Sequence, residues 1–345
     1  MRTKYLLFIL IFGSSATLLN AQGLITDVSK SGTSVATFLE ISIGAPAVGM
    51  GGAYVSIAND ATALYWNVAG IAELEQNEVV ALHNSWIAGT SLDFLGLVLK
   101  LGDFGSLGAS IISLSMDDMV VRTVEQPDGT GEFFSAGDIA VGLSYARQLT
   151  DRFSIGFTAK FVQQTIWHET AKAFAIDAGS TFKTDLFGGM TIGANISNFG
   201  TKMKLSGRDT RHFIRIDDNK LGSNERIPTN IELDSWHLPL TLQFGVSTNI
   251  IDNEKSRWTI ALDALHPSDD YESVNLGMEY AFGDLLFLRG GYQSLFLDDA
   301  EGGLSFGAGL KLNMLFSKAP IKIDYAFRDM GRLEDTHVFS IAVSF

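Results

Sequence analysis

Thr336-His337-Val338-Phe339-Ser340-Ile341-Ala342-Val343-Ser344-Phe345 closes the chain. Its alternation puts Phe339, Ile341, Val343 and Phe345 on one face of a strand and Ser340, Ala342 and Ser344 on the other. A wall with lipid outside and a lumen inside needs this period of two in strand after strand, whereas a soluble sheet can show it once. Repetition therefore decides the reading. Phe153, Ile155, Phe157, Ala159 and Phe161 oppose Ser154, Gly156, Thr158 and Lys160. Val274, Leu276, Met278, Tyr280 and Phe282 oppose Ser273, Asn275, Gly277 and Glu279. Ile321, Ile323, Tyr325 and Phe327 oppose Lys322, Asp324, Ala326 and Arg328. A Lys or Arg facing lipid at mid-depth costs about 2–4 kcal/mol, so the charged faces point inward.

Working outward from these strands, about fourteen segments can be marked from Glu78 onward: 78–87, 90–101, 106–115, 137–149, 152–167, 172–184, 189–198, 238–249, 257–266, 272–282, 285–295, 303–315, 319–328 and 336–345. An even count is what a single-chain bacterial barrel requires. The connections after even-numbered segments, such as Thr150-Asp151, 185–188, 250–256 and Gly283-Asp284, are short. The two longest, 116–136 and 199–237, both follow odd-numbered segments and so fall on one side, the outer one. The fold class is all-β membrane: an antiparallel transmembrane barrel of about 14 strands over 78–345, with an N-terminal segment in its lumen.

Arg2 and Lys4 precede an apolar run from Tyr5 to Phe12 and on to Leu19, and Leu19-Asn20-Ala21 offers a small residue before Gln22. Residues 1–21 therefore read as a cleaved export signal, too short to span a bilayer as a helix. The destination is the outer membrane of a Gram-negative-type bacterium. With no cysteine, disulfides, thiolate catalysis, zinc–thiolate sites and a lipid-modified N-terminus are excluded. A formal net charge of −14 disfavours nucleic acid as a partner.

The inward charges include Lys160, Asp263, Glu279, Arg289, Lys311, Lys322, Asp324 and Arg328. Both signs are present, which suits mutual pairing better than a one-sign ion filter. The segment 199–237 is charged and irregular, with Arg208, Asp209, Arg211, Arg215, Asp217, Asp218, Lys220, Glu225 and Arg226. A structureless loop of that length is either functional or disordered. Arg208, Arg211, Phe213 and Trp236 are its candidate partner contacts. Pro127-Asp128-Gly129-Thr130-Gly131 reads as a tight turn in the other outer loop. Trp86, Trp167, Trp236 and Trp258 fall near segment ends, where aromatic rings favour the membrane interface.

Glu125, Asp128 and Glu132 match no metal-ligand spacing, and neither do His83, His168, His212, His237, His266 and His337. No phosphate cradle and no Ser/His/Asp set can be assembled, so neither a catalytic activity nor a cofactor is expected.

Residues 22–77 differ in kind. Gly49-Met50-Gly51-Gly52-Ala53 and then Ala58-Asn59-Asp60-Ala61-Thr62-Ala63-Leu64-Tyr65-Trp66-Asn67-Val68-Ala69-Gly70 are compact, small and glycine-rich. Such a stretch could not cross a bilayer and belongs inside or beneath the barrel. Asn59, Asp60 and Asn67 could cap its backbone turns, or could gate a ligand. These motifs resemble the N-terminal signature of the PorV/PorQ family, a branch of the FadL-like outer-membrane barrels. The likeness continues through His83-Asn-Ser-Trp86-Ile87, Gly129-Thr-Gly-Glu132, Phe134-Ser-Ala-Gly-Asp138, Leu143-Ser-Tyr-Ala-Arg147 and Ile196-Ser-Asn-Phe-Gly200. Val68 departs from it, standing where the family has proline in an Asn-Pro-Ala-Gly element, which would loosen that turn.

The resemblance implies a fourteen-stranded barrel with a hatch, and Gly49, Gly51, Gly52, Asn59, Asp60, Trp66 and Asn67 would be its signature residues. It also implies two functions. PorV-like members act with a type IX secretion system, holding secreted cargo by its C-terminal domains, with the outer-membrane lipid and the secretion components as partners. FadL-like members take up long-chain fatty acids or other hydrophobic molecules through the hatch and a lateral wall opening.

Overall fold

A computed structural model of the chain describes residues 30–216, 226–253, 255–297, 300, 302–313 and 319–345. The segment expected to be an export signal, and Asp217, Asp218, Lys220 and Glu225 of the long loop, lie outside the described residues. Fourteen long strands form the wall: β1 Glu78–Ser85, β2 Thr90–Lys100, β3 Ser106–Met116, β4 Ala136–Thr150, β5 Phe153–Ile166, β6 Glu169–Thr184 and β7 Met190–Gly200. After the longest loop come β8 Thr241–Asn253, β9 Ser256–Pro267, β10 Ser273–Phe282, β11 Leu286–Leu295, β12 Leu304–Asn313, β13 Pro320–Arg328 and β14 Thr336–Ser344. Each pairs antiparallel with its successor, and β14 returns to β1 in a register running from Glu78↔Ser344 to Ser85↔His337. The sheet is therefore a closed barrel without free edges.

The pleat sorts side chains as the alternation requires. In β14, Thr336, Val338, Ser340 and Ala342 are buried, while Phe339 and Ile341 are exposed on the outer face. Leu143, Phe174 and Phe306 extend the same apolar outer belt, a surface suited to hydrocarbon and too apolar for water. Among the described residues no helix is long and apolar enough to cross a membrane.

The strand limits fall within three residues of the expected ones except at the end of β8, which runs on to Asn253, and the later start of β8 is telling. It begins at Thr241, because Pro239 has no N–H to give the ladder; its carbonyl instead accepts from Asn198 Nδ2 at 3.0 Å. The long loop also corrects the sequence reading, since it is not structureless. Ser206–Gly207 extends the wall beside β6, Met203 and Trp236 exchange backbone hydrogen bonds of 2.9 Å, and Arg211–Ile214 pairs with Ile227–Asn230 as a separate hairpin. The β-branched and aromatic residues of those stretches suit an extended backbone. In the other outer loop, Met119–Val120 pairs with Phe133–Phe134, and Gly129 N–H closes the expected turn on Gln126 O at 3.1 Å.

Trp258 stacks near Tyr280 at the short-turn end of β9 and β10, with ring centroids 4.8 Å apart, as an interface aromatic does. Trp86 does not join such a belt. Its ring lies 5.2 Å beneath the Arg328 guanidinium on the lumenal side, because a buried cation finds more stabilisation over an aromatic face than the ring finds at the lipid surface.

Candidate functional site

The core of this barrel is made by residues 36–74, whose side chains and backbone press against inward-facing wall positions. Helix α1, Ala45–Gly49, and helix α2, Ala63–Trp66, are each about one turn long, so their stability comes from packing. Ile43, Ala47, Met50, Ala61, Ala63 and Ile71 are fully buried. Glycines bring the chain against the wall: a Cβ on Gly49 would lie 2.9 Å from Gly307 Cα in β12, and one on Gly51, whose φ is +64°, would lie 2.6 Å from Tyr292 N in β11. Gly52 sits against Asn275 of β10.

The turns are capped from within and from the wall. Asp60 Oδ1 accepts from Thr62 N at 2.9 Å and from the Thr62 hydroxyl, while Asp60 Oδ2 accepts from Tyr54 OH at 3.0 Å. Trp66 Nε1 donates to Ile43 O at 2.7 Å. Asn67 is completely buried and spans the interface: its amide donates to Val55 O at 2.9 Å and to Ser180 O of β6 at 3.0 Å, and its Oδ1 accepts from Ala69 N. This corrects the expectation for Val68. The turn is closed without proline, with Gly70 N donating to Asn67 O at 2.9 Å, because Asn67 supplies the cap that fixes it. Among the described residues Asn59 caps no turn; it is exposed toward a polar cavity of about 820 Å³ at the short-turn mouth, shared with Lys311, Arg257 and Glu78.

The wall charges are satisfied in different ways. Arg289 is buried between Glu279 at 2.8 Å and Asp324 at 2.7 Å, and Lys322 reaches Asp60 at 3.8 Å. Lys160 pairs with Asp177 at 2.9 Å, a partner the alternation did not single out. Asp263 instead accepts the backbone N–H groups of Tyr54 and Val55 at 2.7 and 2.9 Å, and so fastens the lumenal segment to β9. Arg328 donates to Gln293 Oε1 at 3.1 Å and to Ser42 Oγ at 3.4 Å. Lys311 lies at the mouth.

Sequence reasoning missed the glycines that make this arrangement possible. Lys160 faces Gly142 across the ladder, Asp263 faces Gly245, Arg289 faces Gly307 and Asp324 faces Gly309. At two of them a side chain would collide with the charge: a Cβ on Gly245 would lie 2.3 Å from Asp263 Oδ1, and one on Gly309 would lie 2.1 Å from Asp324 Oδ1. The signal was a glycine on the polar face of a strand, visible only once the register was known.

At the long-loop mouth the segment is tied again. Val35 N donates to His237 O at 2.9 Å, and Ser34 Oγ hydrogen-bonds Asp269. Enclosure by the barrel, and then the charges of Asp269 and Asp270, push the Glu40 carboxyl up to about 8. Beyond this anchorage the hairpin stands free of the wall. Phe213 is 63% exposed with the Arg226 guanidinium 5.1 Å from its ring, and Ile214 and Ile231 are exposed beside it. Arg211 lies exposed opposite Asn230. Arg208 is placed differently, donating to His168 Nε2 at 2.6 Å, and Trp236 stays at the loop's root on Met203. The four candidate contacts are thus split, with Arg211 and Phe213 on the hairpin and Arg208 and Trp236 below it.

Among solved structures, the Pseudomonas putida toluene transporter TodX aligns over 88% of this chain and 99% of its own, at 13% identity and a TM-score of 0.54. The CymD monoaromatic hydrocarbon channel aligns over 88% and 98%, at 13% identity and a TM-score of 0.53. At such identities these likenesses establish the barrel fold alone. No curated protein matches the chain. The family model described as "Type IX secretion system protein PorV" matches residues 26–237, which take in the lumenal segment, the first seven strands and the long loop. The chain belongs to the PorV family, as an outer-membrane β-barrel.

Proposed function

We propose that this barrel is a plugged platform, holding exported proteins or type IX secretion components at its long-loop face rather than passing solutes through its lumen. Residues 30–77 act as the plug. The observation that carries the reading is the fastening of this segment to the wall: the Asp263 carboxylate of β9 accepts from the Tyr54 and Val55 N–H groups, the Asn67 side-chain amide donates to Ser180 O of β6, and Lys322 of β13 reaches Asp60 at 3.8 Å. Opening a passage would leave the buried Asp263 carboxylate without its two N–H donors and strip capped backbone groups, at about 1–3 kcal/mol for each buried group left unsatisfied. The exposed Phe213, Ile214 and Arg211 offer the apolar and cationic groups that favour protein contact.

The competing reading, uptake of fatty acids or other hydrophobic molecules, draws support from the fold shared with hydrocarbon channels. It needs an apolar chamber between plug and wall. The cavity at the short-turn mouth is instead lined by Asp60, Glu78, Arg257 and Lys322, a poor host for such cargo. Affinity capture from gently solubilised membranes tests the proposal: secretion components or secreted proteins should be recovered with the wild type and lost with Phe213→Ser/Ile214→Ser. Recovery of none in several detergents, together with saturable uptake of a hydrophobic tracer, would reverse the preference.

A further inference from the structure

The outer surface of a barrel is convex, yet one part of this wall is hollow. Between β5 and β11 the lipid-facing side carries a depression of about 1000 Å³. Its floor is made by the small outward side chains of Ala178, Ala194 and Ala264, and its sides by Ile196, Phe244 and Leu295. Two β-bulges lie along it. One is in β7, where the pairing with β6 jumps from Ile176↔Phe199 to Ala178↔Ile196 and Asn198 takes φ +64°. The other is in β11, where the pairing with β10 jumps from Val274↔Leu295 to Leu276↔Tyr292 and Ser294 takes φ +57°. Bulges bend and twist the strand that holds them, and this pair brackets the hollow.

Each bulge is held by a specific bond from the lumenal side. Asn198 N donates to Asp177 Oδ1 at 2.8 Å, and Ser294 N donates to Asn275 Oδ1 at 2.9 Å. Buried polar side chains thus maintain a deformation whose product is apolar and faces the membrane. At the long-loop end the hollow changes character: Phe296 is 93% exposed at its rim, and His266 meets Glu272 at 2.9 Å. An apolar trough ending in polar groups at the membrane surface has the polarity profile of a lipid molecule.

We propose that this hollow is a fixed lipid site, in which acyl chains of one outer-membrane lipid lie across β6 to β10 with the headgroup beside His266 and Glu272. The lipid's chemistry follows from position: the trough opens to the hydrocarbon layer, and its floor of alanines leaves the thickness of a chain between flanking Ile and Phe side chains. A lipid so placed exchanges more slowly than its neighbours, because it gains contact on two sides as well as from below. The site is independent of the plug, so it stands or falls without the docking proposal.

Native mass spectrometry of the full barrel, released from membranes in mild detergent and exchanged extensively, tests this with the membrane's own phospholipids and lipopolysaccharide as probes. The wild type should retain one lipid per barrel. Ala178→Phe/Ala194→Phe should lower the retained fraction about tenfold, equivalent to losing roughly two buried methylenes. Leu143→Phe, a lipid-facing change on the convex side, should leave it unchanged. Because filled variants can misassemble, a photoreactive fatty-acyl lipid applied to the wild type supplies the second measurement, and its label should concentrate in 178–196 and 242–264. Uniform labelling around the barrel, equal lipid retention in the filled variant, or cross-linking of the trough to a protein in place of lipid would each overturn the proposal.

Discussion

The lumenal segment and the long-loop hairpin are both irregular, glycine-bearing stretches outside the wall, and they differ in where their backbone groups find partners. In 36–74 those groups are met by side chains of the segment itself and of the wall, with Asn67 and Asp263 bridging the two. In Arg211–Ile214 and Ile227–Asn230 the hairpin pairs across its own ladder, with Arg211 N also donating to Arg208 O at 3.2 Å, and Phe213 and Ile214 are left in water. A stretch held by buried polar contacts resists movement. A stretch with exposed apolar groups and a free sheet edge has surface to offer a partner. That contrast is what supports the proposal of plugging for the first and docking for the second.

If that contrast is right, substitutions should divide sharply between the two regions. The largest effect is expected for Arg289→Met, which leaves Glu279 and Asp324 buried without their cation; about 3–5 kcal/mol of stability should be lost, read from the urea midpoint of the heat-modifiable folded band. Asp263→Ala should cost about 2–3 kcal/mol, because two buried N–H groups lose a charged acceptor, and hydrogen exchange should speed up at Tyr54 and Val55. Asn67→Ala removes a cap and a bridge and should cost about 1–2 kcal/mol, with new protease cleavage inside 55–70.

A weaker effect is tied to pH. Glu40 holds its proton in the fold up to about 8, against an ordinary value of 4.5, so between these values the folded state binds more protons than the unfolded one. Its contribution is then full below about pH 4.5 and is lost as the pH rises to about 8. Exchange at Val35 should quicken over that interval, and Glu40→Gln should flatten the profile. Water at the mouth screens the charges, which keeps the effect small. The smallest change belongs to the hairpin: Phe213→Ser should shift stability by no more than about 0.5 kcal/mol, since the ring is exposed, whereas a plug residue of equal size would be felt strongly.

The wall was legible because lipid imposes a period of two that no other constraint blurs. Phe339, Ile341 and Val343, or Ile321, Ile323 and Tyr325, declare their face without knowledge of neighbours. Inward charges could be recognised the same way, though not their partners. That Lys160 meets Asp177, that Asp263 serves the backbone of Tyr54, and that each lies opposite a glycine depend on register between strands, which alternation within one strand does not encode. Val68 misled for a related reason. The proline it replaces would fix the turn locally, and here Asn67 fixes it through contacts with Val55 and Ser180, distant in sequence. The long loop seemed structureless because its charges outnumber its apolar residues, yet short runs such as His212-Phe213-Ile214 suffice for a hairpin once Ile227–Asn230 lies alongside.

The central claim is that the plug stays in place while the outer face works. The chain has no cysteine, so a single engineered pair can be read without background. A Cβ on Gly277 would stand 2.9 Å from Met50 Cβ and 2.5 Å from Met50 O, so Met50→Cys/Gly277→Cys joins the plug to β10 once the Met50 backbone gives by roughly 1 Å. Partner capture by this variant, compared before and after reduction, is the most direct measurement. The account predicts equal capture with the bridge closed or open; loss of capture on closing the bridge, restored by reductant, would contradict it.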